Sequence, residues 1–310
     1  MMKISKFKEK IRNLHDQMGN FGLKYASVVL LSGVFKGLKP AMRKMAIDLL
    51  DCEFGYIFQN HNAKEYSIPQ EYLFPTKIFV YWAQGADKMP YIPTRVVNRL
   101  KMLYKEYDII IIDDNNYKEY IDVEPEIEQL YKNRQISIQT FSDILRFNLL
   151  YKYGGTWIDS TLLFVEYLPF HEYAQQCGFY SLNHDSIEKD ILWKDVYPVT
   201  YTTFFLSTHI HNDIMGACVD FYNTYYKKYN RAIDYFMNDY MMILAMKYHL
   251  CDDALAKIKK NEGNPFALMH YFEGENLDLE DCKLSPQKLN LRKTNIDQLR
   301  KYLKEQSIEC

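Results

Sequence analysis

Residues 142–159 read SDILRFNLLYKYGGTWID, an apolar pattern of helical spacing that runs into two glycines and then into a short aromatic and β-branched segment. The spacing predicts a helix from about Ser142 to Tyr153, with Ser142 or Thr140 as its N-cap. Gly154-Gly155 supplies the left-handed residues that commonly end a helix, and the four residues that follow have the composition of a strand. The stretch therefore predicts a helix that reverses sharply into a β-strand.

This reversal has a geometric consequence for three charged side chains. A helix rises about 15 Å from Asp143 to Tyr153, and a strand extends about 13 Å from Gly155 to Asp159. The strand thus returns to the level at which the helix begins, and Asp143 and Asp159 are expected at the same edge of the sheet. Arg146 follows Asp143 by three residues and shares its helix face. Two carboxylates and a guanidinium beside a helix N-terminus suit a metal ion and a diphosphate. The alternative is a surface ion pair and an aspartate in a turn.

Two further strands are predicted upstream of this unit. The segment IFVYW at residues 78–82 ends in Gln84-Gly85, and residues 108–114 read DIIIIDD. Continuous apolar strands separated by helices are typical of a parallel sheet that is covered on both faces. The predicted class is therefore α/β, with a Rossmann-like, mostly parallel sheet, flanking helices and a helical C-terminal part whose last helix spans about residues 287–304.

The residues before the first strand are rich in Lys, Met, Leu and Ala and predict two helices that break near Pro40. We divide the chain into a basic N-terminal helical appendage, residues 1–75, and a catalytic domain, residues 76–310. The polar segment 60–75 is the predicted linker.

The charge of the chain is unevenly distributed. The net charge of −2 over 310 residues gives no nucleic-acid-binding character. Residues 1–47, however, contain ten lysines and arginines against two acidic residues, so the remainder carries −10. This asymmetry predicts peripheral contact with an anionic membrane through residues 1–47, and the alternative is a solvated helical hairpin packed on the core. The apolar run at 25–35 is too short to span a membrane, which takes about 20 residues.

Other features exclude several classes of protein. The six cysteines are scattered without metal-binding spacing, which favours a reducing compartment. The sequence has no Walker A loop, GxGxxG, HExxH or GxSxG motif, so NTPase, dehydrogenase, zinc protease and serine hydrolase functions lack support. We expect a cytoplasmic protein, with attachment to the inner face of the cell membrane left open.

The motifs S-D-x-x-R at 142–146 and Y-G-G-x-W-x-D at 153–159 together resemble the central stretch of DXD-type glycosyltransferases. The branch they resemble is that of capsular polysaccharide synthesis, which is related to glycosyltransferase family 32 (GT32). Residues 81–85, YWAQG, resemble the W-x-Q-G element of that branch. The resemblance covers roughly residues 77–247. It implies a GT-A-like fold and metal-assisted transfer of a hexose, with retention of configuration, from a UDP- or GDP-sugar to a glycan or lipid-linked glycan acceptor.

The resemblance also implies roles for individual residues. Metal-ligand roles for Mn²⁺ or Mg²⁺ are implied for Asp159, Thr161 and His270. Thr161 stands where a full DXD motif has its second aspartate, so the implied site lacks one hard anionic ligand. Trp82 matches the position that stacks on the nucleobase. The full set of residues that the resemblance implies to bind the donor comprises Trp82, Gln84, Gly85, Asp143, Arg146, Gly154 and Gly155.

Acceptor activation is predicted on a later helix. Asp239 and Asn238 follow the block IDYF at 233–236, and a buried carboxylate there would orient an acceptor hydroxyl. The alternative for Asp239 is a charge that stabilises a helix N-terminus. The missing second aspartate also keeps a second function open, a catalytically inactive nucleotide- or glycan-binding subunit of a polysaccharide assembly complex.

Overall fold

The computed structural model describes residues 2–62, 75–184, 201–250, 258, 260–276 and 279–310. Its strands are β1 Lys77–Tyr81, β2 Asp108–Ile112, β3 Gly155–Ile158, β4 Leu162–Leu163, β5 Phe179–Ser181, β6 Phe205–Thr208 and β7 Gln287–Lys288. Its α-helices are α1 Met2–Ser32, α2 Lys39–Asn62, α3 Tyr91–Leu103, α4 Pro125–Lys132, α5 Ile138–Tyr153, α6 Phe170–Cys177, α7 Asp213–Lys228, α8 Met237–Lys247, α9 Ala267–Phe272 and α10 Lys293–Glu305.

The central sheet has five strands in the order β2-β1-β3-β6-β5. β1 pairs in parallel with both β2 and β3, whereas β6 runs antiparallel to its neighbours β3 and β5. Four of the five strands therefore point the same way, which confirms the α/β class with a mostly parallel sheet flanked by helices. β4 and β7 form a separate two-stranded antiparallel ribbon.

The isoleucine-rich strand β2 lies at the edge of the sheet. Ile109, Ile110 and Ile111 are partly buried and pack against the hydrophobic core. The apolar composition of a strand indicates that its faces are covered, but it does not indicate whether another strand pairs with its outer edge.

The helix that carries Asp143 and Arg146 begins one turn earlier than predicted. α5 starts at Ile138, and the hydroxyl of Ser137 caps it by accepting a hydrogen bond from the backbone N–H of Thr140. Asp143 consequently lies in the second turn of the helix, while Ser137, Ile138 and Thr140 at its N-terminus line the same cavity as Asp143. The end of the helix is as predicted, at Tyr153.

The two glycines after α5 are required by both conformation and space. Gly154 and Gly155 have φ values of 60° and 86°, which side chains disfavour. A Cβ on Gly154 would lie 2.7 Å from the backbone nitrogen of Ile210, and one on Gly155 would lie 2.6 Å from the carbonyl oxygen of Lys77. The predicted reversal at Gly154-Gly155 is confirmed.

The N-terminal helices share the core of the rest of the chain. α2 packs on α7 and α8, and the ring of Phe54 contacts the rings of Phe221 and Tyr225. The break between α1 and α2 lies at residues 33–38, and Pro40 stands in the first turn of α2, where a proline is tolerated. Most of the predicted linker lies outside the described residues, and the division into an appendage and a catalytic domain stays a prediction.

The C-terminal part departs from prediction at one place that matters for the site. The last helix was expected from about residue 287, but α10 starts at Lys293, and Gln287–Lys288 form β7. β7 is held by pairing with β4 and by the buried amide of Gln287, which accepts from the backbone N–H of Leu268 and donates to the carbonyl oxygens of Asn264 and Ser285. Among the described helices, none is both long and apolar enough to cross a membrane.

Candidate active site

A cavity of about 910 Å³ opens where the parallel strands β1 and β3 end. Trp82 follows β1 and Asp159 follows β3, and both residues line the cavity. Ligands in open α/β sheets bind at this edge because the loops that follow parallel strands meet there. The volume lies in the range of pockets that enclose a small-molecule ligand.

Arg146 is the centre of the site. Its guanidinium lies 3.0 Å from Asp143 Oδ1 and 3.0 Å from Asp159 Oδ1, and it stacks on the ring of Trp157 at 5.0 Å from the centroid. The Trp157 indole N–H also donates to Asp159 Oδ1 at 2.9 Å. The arginine side chain is only 5% exposed, whereas the two carboxylates keep 20% and 25% exposure to the cavity. The convergence of Asp143, Arg146 and Asp159 is as the helix and strand lengths predicted.

A second cation, which the sequence analysis missed, completes this cluster. Lys288 Nζ donates to Asp159 Oδ2 at 2.6 Å and lies 4.8 Å from the ring centroid of Phe204. Lys288 reaches the site because β7 pairs with β4, a strand that begins three residues after Asp159. An isolated lysine in a segment of helical composition carries no motif, so the sequence held no signal for it.

The carboxylates of the site differ in their proton affinity. Burial opposes the ionisation of Asp159, but Lys288 and Arg146 outweigh it and hold the pKa of Asp159 below its usual value. For Asp143, burial dominates over the attraction of Arg146 and raises the pKa to about 6. Burial and the neighbouring charge of Asp143 raise the pKa of Asp239 to about 7. The pocket thus holds one carboxylate that stays ionised and two that titrate near neutral pH.

Asn238 and Asp239 both line the cavity near the start of α8, but they differ in what they contact. Asn238 is buried, accepts a hydrogen bond from the Tyr222 hydroxyl at 2.5 Å and bonds through its side chain to Asp143. It therefore positions Asp143. Asp239 keeps its side chain in the cavity, and its backbone carbonyl accepts from the Tyr201 hydroxyl at 3.0 Å.

The residues implied to bind the donor fall into two groups. Trp82, Gln84, Asp143 and Arg146 line the cavity. The other three implied residues, Gly85, Gly154 and Gly155, are not among the described residues that line the cavity. Gly85 has a φ of 90° and packs where a Cβ would meet Asp113 Oδ2 at 3.1 Å. Gly154 and Gly155 lie at the opposite end of β3, next to the start of β1, so a donor-binding role for them is corrected to a conformational one.

The residues implied as metal ligands do not form a ready site. Thr161 lines the cavity, whereas His270 lies on α9, stacks on Phe266, and is not among the described residues around the cavity. No cluster of three His, Cys, Asp or Glu side chains suited to a metal occurs in the described part of the chain. Both oxygens of Asp159 already accept from cationic or N–H donors. This donor set, with two cations on the one carboxylate, does not fit a preformed Mn²⁺ or Mg²⁺ site.

The N-terminal helices also form part of the cavity wall, which the sequence analysis did not predict. Tyr25 and Val29 of α1 and Met42 of α2 line it. The Tyr25 hydroxyl donates to the carbonyl oxygen of Ile233 at 3.2 Å and ties α1 to the loop before α8. Tyr235 of that loop lines the cavity while 78% exposed, so its ring stands at the mouth.

The fold and the cluster define an α/β protein with a pocket at the carboxyl ends of its parallel strands, in which two cations contact one ionised carboxylate. Residues 38–308 match the family model described as capsular polysaccharide synthesis protein, and the chain belongs to this family. No curated protein matches the chain. A solved structure titled PaToxG Glycosyltransferase is similar with a TM-score of 0.41 and 14% sequence identity, over 69% of this chain and 84% of that one.

Proposed function

We propose that the protein is a glycosyltransferase of capsular or surface polysaccharide synthesis that moves a sugar from a nucleotide-diphosphate donor to a glycan or lipid-linked glycan. The observation that carries the proposal is the cluster of Arg146 and Lys288 around Asp159 inside a cavity of about 910 Å³. Membership of the capsular polysaccharide synthesis family supports it. Two cations in a pocket at the sheet edge suit a ligand that carries a diphosphate.

The arrangement of the strands gives the donor an orientation. β1 and β3 are neighbours, so Trp82 and Asp159 emerge side by side from the same edge of the sheet. The flat face of Trp82 suits a nucleobase, as aromatic rings stack on bases in many proteins. The diphosphate then lies next to Arg146 and Lys288, and the sugar lies toward Asp143 and Asp239.

Asp239 is the proposed proton acceptor. In the transfer, the bond between the anomeric carbon and the diphosphate oxygen breaks, and its electron pair leaves with the nucleoside diphosphate. The acceptor hydroxyl oxygen bonds to the anomeric carbon, and its proton passes to the Asp239 carboxylate. A base with a pKa of about 7 is well matched to this step at neutral pH. Asn238 assists by holding Asp143 in place.

An exposed apolar tip beside the cavity supports a lipid-linked acceptor. Leu30, Leu31, Val34 and Phe35, here called the apolar tip, are 55%, 45%, 72% and 60% exposed. Val29, on the same turn of α1, lines the cavity. Exposed apolar residues next to basic ones suit insertion into an anionic membrane surface. We propose that the tip rests on the inner face of the membrane and brings the cavity close to acceptors in the lipid layer.

The test is a screen of UDP- and GDP-sugars with the purified chain, which measures the rise in Tm and the slow release of free sugar. We expect one donor to raise Tm and to be hydrolysed, and Asp143→Asn to remove hydrolysis. The matched control is Asp297→Asn, an aspartate that is 66% exposed on α10. A donor that binds but is never hydrolysed would instead favour the inactive subunit. If no nucleotide or sugar nucleotide binds, the proposal is wrong.

A further inference from the structure

The ammonium group of Lys288 lies against the Asp159 oxygen that Arg146 does not contact. Its Nζ lies 2.6 Å from Asp159 Oδ2, and the only other charged group on this carboxylate among the described residues is the guanidinium of Arg146, 3.0 Å from Oδ1. A dication that bound Asp159 Oδ2 would lie next to the Lys288 ammonium, and one that bound Oδ1 would lie next to the Arg146 guanidinium. Like charges at such distances repel strongly in a partly buried site.

The charges of the cluster balance without a metal ion. Asp143 and Asp159 carry two negative charges when ionised, and Arg146 and Lys288 carry two positive charges. Without Lys288, the two carboxylates would have only the one positive charge of Arg146 beside them. With it, the pocket holds a cation on each side of Asp159.

Lys288 also has N–H donors with which it can bind an anion. An ammonium group has three N–H donors, and among the described residues the one hydrogen bond of Nζ goes to Asp159. The side chain lines the cavity and is 22% exposed, so the remaining donors are accessible from it. The ring of Phe204, whose centroid lies 4.8 Å from Nζ, also stabilises the positive charge.

We propose, on the basis of the proposed function, that Lys288 with Arg146 binds the diphosphate of the donor and takes the place of a divalent metal ion. As the bond to the anomeric carbon breaks, negative charge grows on the diphosphate oxygen that leaves. The Lys288 ammonium neutralises that charge by donating a hydrogen bond, and it keeps its proton. Asp159 acts as the anchor that holds both cations, and it is not a metal ligand.

The experiment measures binding of UDP and GDP by calorimetry, with excess EDTA and separately with MnCl₂. The wild-type chain is expected to bind one of them with the same affinity in both conditions. Lys288→Met is expected to weaken that binding about 10- to 100-fold, the usual effect of losing a hydrogen bond from a charged group. Lys288→Arg keeps the charge and should retain most of the affinity. Lys301→Met, which removes a 73% exposed lysine from α10, is the matched control and should bind like the wild type.

The outcomes separate the inference from the proposed function. Wild-type binding that disappears in EDTA and returns with MnCl₂ overturns the inference and leaves the glycosyltransferase proposal standing. This comparison needs no variant, so it holds even if Lys288→Met folds poorly. Unchanged affinity in a folded Lys288→Met chain also overturns it. If the wild type binds neither nucleotide in either condition, the proposed function itself fails.

Discussion

Replacement of Arg146 by methionine tests the cluster through stability. The change keeps a long side chain over Trp157 but removes the cation that lies 3.0 Å from both Asp143 and Asp159. Removal of one partner from a buried ion pair costs about 3–5 kcal/mol. Because both carboxylates are partly open to the cavity, and because Lys288 still neutralises Asp159, we expect the lower end, about 3 kcal/mol.

The loss in the free energy of unfolding should depend on pH, because the variant leaves Asp143 without a neighbouring cation. A carboxyl group whose pKa is higher in the folded state than in the unfolded state contributes stability below its unfolded pKa. That contribution is lost as the pH rises through the folded-state pKa. The pKa of Asp143 is already about 6, and loss of Arg146 moves it further up. Arg146→Met should therefore be more damaging at about pH 8 than at about pH 5, and the double variant with Asp143→Asn should recover part of the loss at the higher pH.

The assay is urea unfolding followed by tryptophan fluorescence at both pH values. Arg292→Met is the control, since this arginine is 73% exposed and lies 3.9 Å from Glu273, a geometry worth less than about 1 kcal/mol. A loss for Arg146→Met below about 1 kcal/mol, or one that is the same at both pH values, would refute the argument that the arginine compensates Asp143.

Two further predictions concern catalysis and the membrane. The proposed role of Asp239 as a base with a pKa of about 7 predicts that the rate of transfer rises with pH through about 7, and that Asp239→Asn removes this rise and lowers the rate about 10²- to 10⁴-fold. A pH–rate profile of Asp239→Asn that keeps the same inflection would contradict the assignment. Replacement of Val34 and Phe35 by serine should weaken binding to anionic vesicles by about 3 kcal/mol without changing nucleotide affinity. Ile210→Ser, at a 40% exposed position outside the tip, is the comparison, and equal vesicle binding by both variants would exclude the tip as the contact.

The local unit from α5 to Asp159 could be predicted in detail because its geometry depends on neighbours in the chain. Helix rise, the positive φ values at Gly154-Gly155 and strand extension are properties of short segments. They bring Asp143, Arg146 and Asp159 together without reference to the rest of the protein. The error of one turn at the start of α5 arose because several nearby polar residues can cap a helix, and Ser137 is the one that does.

The remainder of the site depends on contacts between distant parts of the chain. Lys288 lies 129 residues from Asp159, and it arrives through a pairing of two residues in each strand of the β4–β7 ribbon. Tyr25, Val29 and Met42 reach the cavity only because the N-terminal helices pack on the shared core. The amino-acid pattern by itself thus determined the carboxylates and the arginine, since backbone geometry over a few residues is sufficient to place them. Tertiary packing alone decided which second cation binds Asp159, because the energy that holds β7 in place comes from side chains that are far apart in the sequence.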